Sequence, residues 1–233
     1  LNAQFSISDT REAIQNAVDG MVPAVAAAST ITVEDSGRVQ LDGANYGVFS
    51  GKISAASIEL KDSVSGLNSI SEHVHEDVLV IAQAQSGEDL TTSAHFLANV
   101  DQIVLDGASN VTVDAAQVLK LQPVVAPESF NIKDAGAAII QLHGDGHSDL
   151  LSAAVNVTSA STDLGEAVQF NDDLDPLHSL VDVYQLSSDA HAYISSNALT
   201  VVEADAVYNV SPPAYTIDDN YTNIKAAFGG GAL

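Results

Sequence analysis

The chain has no cysteine, no tryptophan, one methionine, and only seven Lys and Arg among 233 residues. Without cysteine there can be no disulfides, thiolate metal sites, iron–sulfur clusters or thiol nucleophiles. The shortage of base leaves nothing to neutralise phosphates, so nucleic acid and anionic membrane surfaces are not expected partners. No apolar run reaches the roughly 18 residues of a membrane-spanning helix, and membrane insertion is not expected. The chain starts at Leu1 with no basic-then-apolar leader, and reads as a mature form or an excised piece.

The formal net charge is −24, from 31 acidic residues, 22 of them Asp by count. An ordinary domain carries about 12–13% acid, half of its charged share. The chain matches that figure, so it is starved of base rather than rich in acid. Hydrophobic residues make up 46%, enough for a core and too many for a disordered chain. A cysteine-free, base-poor chain rich in Ala, Ser, Thr, Val and Asp is expected to be secreted, at a bacterial cell surface.

One box recurs three times: aromatic, any, Ile, any, Asp, four residues, Ile. It reads Phe5-Ser-Ile7-Ser-Asp9 with Ile14, Phe130-Asn-Ile132-Lys-Asp134 with Ile139, and Tyr215-Thr-Ile217-Asp-Asp219 with Ile224. Val111-Thr-Val113 precedes the second box, and Leu199-Thr-Val201 precedes the third, each through prolines. Aromatic-x-Ile is the alternation of a short strand. The Asp is expected to end that strand and to cap the helix that follows. Ile31-Thr-Val33-Glu-Asp35 and Ile58-Glu-Leu60-Lys-Asp62 repeat the strand half of the pattern. Further strands are expected at 39–41, 103–105, 155–157 and 181–183. Helices are expected over 9–22, 72–84, 91–100, 115–121 and 219–228.

These pieces resemble the strand-repeat arrays of very large bacterial secreted surface proteins. The matching segments are Ile7-Ser-Asp9-Thr10 with Ile14, Ser29 to Ser36, Ile53 to Ser63, and Leu199-Thr-Val201. The resemblance is good over 1–63, 111–140 and 198–225, and poor elsewhere. It implies adhesin, biofilm-matrix or surface-layer material, often beside calcium-binding repeats. The expected fold is a β-rich α/β repeat, a solenoid of short parallel strands with interspersed short helices. The alternative is all-β, sandwich-like modules. The expected organisation is an N-terminal repeat region 1–110 with a degenerate insertion at 64–110, then a C-terminal region 111–233, in one continuous array.

Two acidic loops are candidate calcium sites, because calcium takes six to eight oxygens from such turns. In His143-Gly-Asp145-Gly-His147-Ser-Asp149 the carboxylates are Asp145 and Asp149; in Asn171-Asp-Asp173-Leu-Asp175 they are Asp172, Asp173 and Asp175. His143 with His147 could instead hold a transition metal. His73 and His75 share a strand face but not a helix face, so the expected helix argues against joint ligation there. No Gly-x-Ser-x-Gly elbow and no phosphate-cradling loop is present.

The expected function is therefore non-catalytic: an extracellular structural protein, self-assembling or adhesive, and calcium-stabilised. Its main partner would be itself, head to tail, with cell-surface glycans as a further partner. A calcium-dependent glycan-binding module and a polysaccharide-active enzyme on a solenoid scaffold are the alternatives.

Overall fold

The computed structural model describes residues 4–70, 74–93, 99–122, 129–172, 175–210, 214–219 and 221–227. Two compact units are present: residues 1–111 with 120–125, and residues 112–119 with 126–233.

In the first unit, β1 (Ser6–Asp9) pairs with β2 (Thr30–Val33), and Ile31 bridges to Ile53. A four-stranded sheet follows in sequential order: β3 (Val39–Leu41), β4 (Ile58–Ser63), β5 (Leu79–Gln83) and β6 (Gln102–Val104). Every pair is parallel, and Ile103 bridges on to Leu121. The register lines up Leu41, Leu60 and Val80 as one buried row. Parallel strands need crossover connections. Short helices supply several of them: α1 (Arg11–Asp19), α2 (Pro23–Ala27), α3 (Gly43–Phe49) and α4 (Val64–Asn68). Thr10, Asp42 and Ser63 cap α1, α3 and α4 by accepting the amides of Ala13, Asn45 and Gly66.

The second unit repeats the plan with β7 (Val111–Val113), β8 (Phe130–Ala135), β9 (Val157–Thr162) and β10 (Val183–Leu186) in order 10-9-8-7. Its helices are α5 (Ala115–Val118), α6 (Gly136–Gly144), α7 (Ser148–Ala153), α8 (Leu164–Phe170), α9 (Ser188–Ser196), α10 (Val201–Val207) and α11 (Tyr221–Ala227). Phe130, Ile132, Ile139 and Val157 are buried where β8, β9 and α6 meet. A further cluster packs Leu186, Ile194, Leu199 and Val207 together.

These findings correct the expected fold class. The described residues form an α/β fold with three separate parallel sheets of two, four and four strands and eleven α-helices, rather than a β-rich solenoid. The sandwich alternative fails too, because β8 with β9 and β9 with β10 pair in parallel and α-helices cover much of 136–207. Within the expected helix over 72–84, residues Leu79–Gln83 are in fact β5, for a physical reason. Val80, Ile81 and Ala82 are all buried, a continuous apolar run typical of a parallel strand covered on both faces. At 91–100, a 3-10 turn occupies Leu90–Ser93, and residues 94–98 lie outside the described residues.

The box Asp residues do something the sequence did not suggest. Asp9 accepts only the adjacent Thr10 amide among the described bonds, but the other four accept the first amide of a helix in the preceding segment, not only their own next turn. Asp35 accepts from Arg11 at 3.0 Å, Asp62 from Gly43 at 2.9 Å, Asp134 from Ala115 at 3.0 Å, and Asp219 from Val201 at 3.0 Å. The neighbouring Thr or Ser is left to cap the local helix, as Thr10 and Ser63 do. Asp101 and Asp182, just before β6 and β10, act similarly at strand starts: their carboxylates accept the amides of Val80 and Val157. The few bases also serve the backbone. Arg11 donates to Arg38 O, Arg38 to the carbonyls of Ile58 and Asp77, and Lys52 to Ala26 O.

The outer edge of β3 is covered by a side chain. The Gln15 carboxamide accepts the Gln40 amide at 2.7 Å and donates to the Gln40 carbonyl at 3.0 Å, as a neighbouring strand would. Gln15→Ala removes both bonds, and at roughly 0.5–1.5 kcal/mol for a net hydrogen bond the loss of stability is expected at about 1–2 kcal/mol. Urea unfolding of the two proteins checks it; an unchanged midpoint would show that Gln15 does not hold this edge.

Candidate functional site

The predicted calcium loops are built into helix ends. Asp145 follows α6, Gly146 takes a positive φ of 91° that favours glycine, and α7 begins at Ser148. Asp149 lies in the first turn of α7, where a negative charge complements the exposed amides. His143 Nδ1 sits 2.8 Å from Ser148 Oγ across the same turn. In the second loop, the Asp175 carboxylate accepts the Leu177 amide at 2.9 Å and starts a 3-10 turn, and its own amide donates to Asp172 O at 2.8 Å. Asp173 lies outside the described residues, as does His73. Among the described residues no three His, Asp or Glu side chains form a group that could hold a metal.

A different feature stands out in the second unit. β10 is the last strand of its sheet, and no described strand pairs with its outer edge. Asp182 and Ser187 hold its two ends to β9 through their amides, which donate to Val157 O and Thr162 O. An open cleft of about 680 Å³ lies alongside, lined by the consecutive residues Val181 to Leu186 and faced by His191 and Val210. Val183 is 52% exposed. Phe170 and Tyr184 also line it, their rings 5.7 Å apart and tilted by 49°. Tyr184 is anchored by its hydroxyl, which donates to Ala206 O. Burial, then the negative charge of Asp205, pushes the Tyr184 phenol above its ordinary pKa, so it stays a neutral donor at pH 7.

Natural edge strands are usually blunted by charge, proline, bulges or a covering element. β3 has its Gln15 cover; the strand Val183-Tyr-Gln-Leu186 has no charge and no proline. A bulge follows Tyr184 on its inner side, where it pairs with β9. Val181-Asp-Val183 could be read as a strand from its alternation. That it would be an edge could not, because this depends on where the chain turns next.

Comparison with protein-family models, with curated proteins and with solved structures found no match. The site therefore rests on its own geometry. Among the described residues no helix is long and apolar enough to cross a membrane.

Proposed function

We propose that this protein is a non-catalytic, extracellular structural subunit that associates with copies of itself through the outer edge of β10. The observation that carries this reading is an edge strand with no described strand beside it, with Val183 exposed and residues 181–186 lining an open cleft. A strand added there gains main-chain hydrogen bonds, and the cleft takes its alternate side chains. The carboxylates fit a structural role as well: Asp35, Asp62, Asp134 and Asp219 join successive segments instead of facing a substrate.

A charge of −24 opposes association between copies. Salt screens such repulsion over about 8–10 Å at physiological strength, so association strengthens as salt is added. Sedimentation velocity over a concentration series should show mass rising with concentration, more steeply in 0.5 M than in 0.05 M sodium chloride. Val183→Lys places a charge on the edge and should keep the protein monomeric throughout. Monomers at every concentration, or a Val183→Lys protein that associates equally well, would refute the proposal.

A further inference from the structure

The bonds from the box carboxylates to upstream amides continue the strand registers. Asp9 pairs with Val33 and, two residues on, Arg11 donates to Asp35. Leu41 pairs with Leu60, and Gly43 donates to Asp62. Leu199 bridges to Ile217, and Val201 donates to Asp219. In each case the residue two before the helix's first amide lies opposite the residue two before the Asp.

Asp9 is the exception. One of its oxygens accepts the Thr10 amide at 2.8 Å, just as one oxygen of Asp62 accepts Ser63 and one of Asp134 accepts Ala135. In Asp62 and Asp134 the second oxygen takes the upstream amide. In Asp9, which is exposed, the second oxygen takes none among the described bonds. No described strand pairs with the outer edge of β1. The matching vacancy is at β10. That strand ends at Leu186, Ser187 caps α9, and the first amide of α9 belongs to Ser188. Ser188 is exposed, and its amide donates in none of the described bonds. One edge lacks the strand that would follow it, and the other lacks the strand that would precede it.

We infer that β1 of a second copy is the strand that adds to the β10 edge, in parallel, with Asp9 accepting the Ser188 amide. The premise is that β10 is the associating edge, as proposed above; β1 is the segment that meets it. The shared geometry fixes the register: Ile7 lies opposite Leu186, and so Ser6 opposite Gln185. Asp189 in the first turn of α9 is no obstacle, because α1 has Glu12 at the same place and still gives its first amide to Asp35. The two edges differ, so the contact is head to tail.

A chain without cysteine allows a direct test of this register. Ser6→Cys and Gln185→Cys proteins, each altered at an exposed strand position, are mixed and oxidised. They should form a mixed disulfide dimer, since neighbouring strands lie about 4.8 Å apart, within disulfide reach. Ser8→Cys with Gln185→Cys is slipped by two residues to about 8 Å, beyond that reach, and should cross-link at least about fivefold less. Asp9→Ala should weaken association about tenfold in sedimentation velocity, the loss of a charged acceptor. Relief of charge repulsion alone would strengthen it. Asp9→Asn loses the same charge but keeps an acceptor oxygen, and should weaken association less. Association that Val183→Lys abolishes, without the Ser6→Cys to Gln185→Cys cross-link, would overturn this inference and leave the β10 reading standing. Monomers at every concentration would end both. Equal cross-linking of the two cysteine pairs, or undiminished association of Asp9→Ala, would also overturn it.

Discussion

Gly66→Ala is expected to destabilise the protein by about 2 kcal/mol, within the 1–3 kcal/mol typical of overpacking, although alanine is the better helix former. A Cβ at Gly66 would lie 2.3 Å from Asp62 Cγ and 2.4 Å from both carboxylate oxygens. That carboxylate accepts the amides of Gly43 at 2.9 Å and Ser63 at 2.6 Å. The added methyl therefore forces out the group that joins β4 to the start of α3. Asp62→Ala should cost about 2–3 kcal/mol, because it leaves the Gly43 amide without its charged acceptor. The decisive result is the double mutant. Once Asp62 is gone there is nothing for the methyl to strike, and alanine gains up to about 1 kcal/mol of helix propensity over glycine. Gly66→Ala should then be neutral or stabilising in the Asp62→Ala background. Urea unfolding of the four proteins gives the cycle; strict additivity would show that Gly66 and Asp62 do not act through each other.

Phe130→Ala should have a larger effect, about 3–5 kcal/mol, as for other buried aromatic deletions. Phe130 is 1% exposed and opens β8, the strand that pairs with β9 and carries Asp134. Its carbonyl also accepts the Val155 amide at 2.8 Å, just before β9 begins. The loss should be read in the second unit, as faster amide exchange along β8 and β9. The same aromatic place in the first box tells another story. Phe5 is 41% exposed, so Phe5→Ala should cost little, and thermal unfolding of the two variants makes the comparison. Equal losses would mean that box position alone, not burial, sets the contribution.

That contrast also shows what could be read in advance. The box located β1 and β8, and Ile14 and Ile139 are buried on the helices that follow, as their spacing from the Asp implies. For the third box only an isolated bridge forms, between Ile217 and Leu199, and Val201 begins a helix instead of extending a strand. Thr200 and Glu203 form a capping box there, and this local chemistry outweighs the likeness of Leu199-Thr-Val201 to Val111-Thr-Val113. The strand β5 was hidden because a short buried apolar run has no period that separates strand from helix. The Asp partners were hidden for another reason. Each lies 18 to 24 residues upstream, and nothing local records which amide will come to rest beside which carboxylate. The β10 edge depends in the same way on the later course of the chain.

The acceptor role of the box carboxylates makes four particular amides into reporters. The first amide of a helix has no partner within its own helix and usually exchanges freely with water. In this protein the first amides of α1, α3, α5 and α10, on Arg11, Gly43, Ala115 and Val201, are each held by an Asp from a later segment. Their hydrogen–deuterium exchange thus records whether two distant stretches of chain are in register. One such amide turning fast, while its own helix stays protected, would mark the parting of a single pair of neighbouring segments with both still folded.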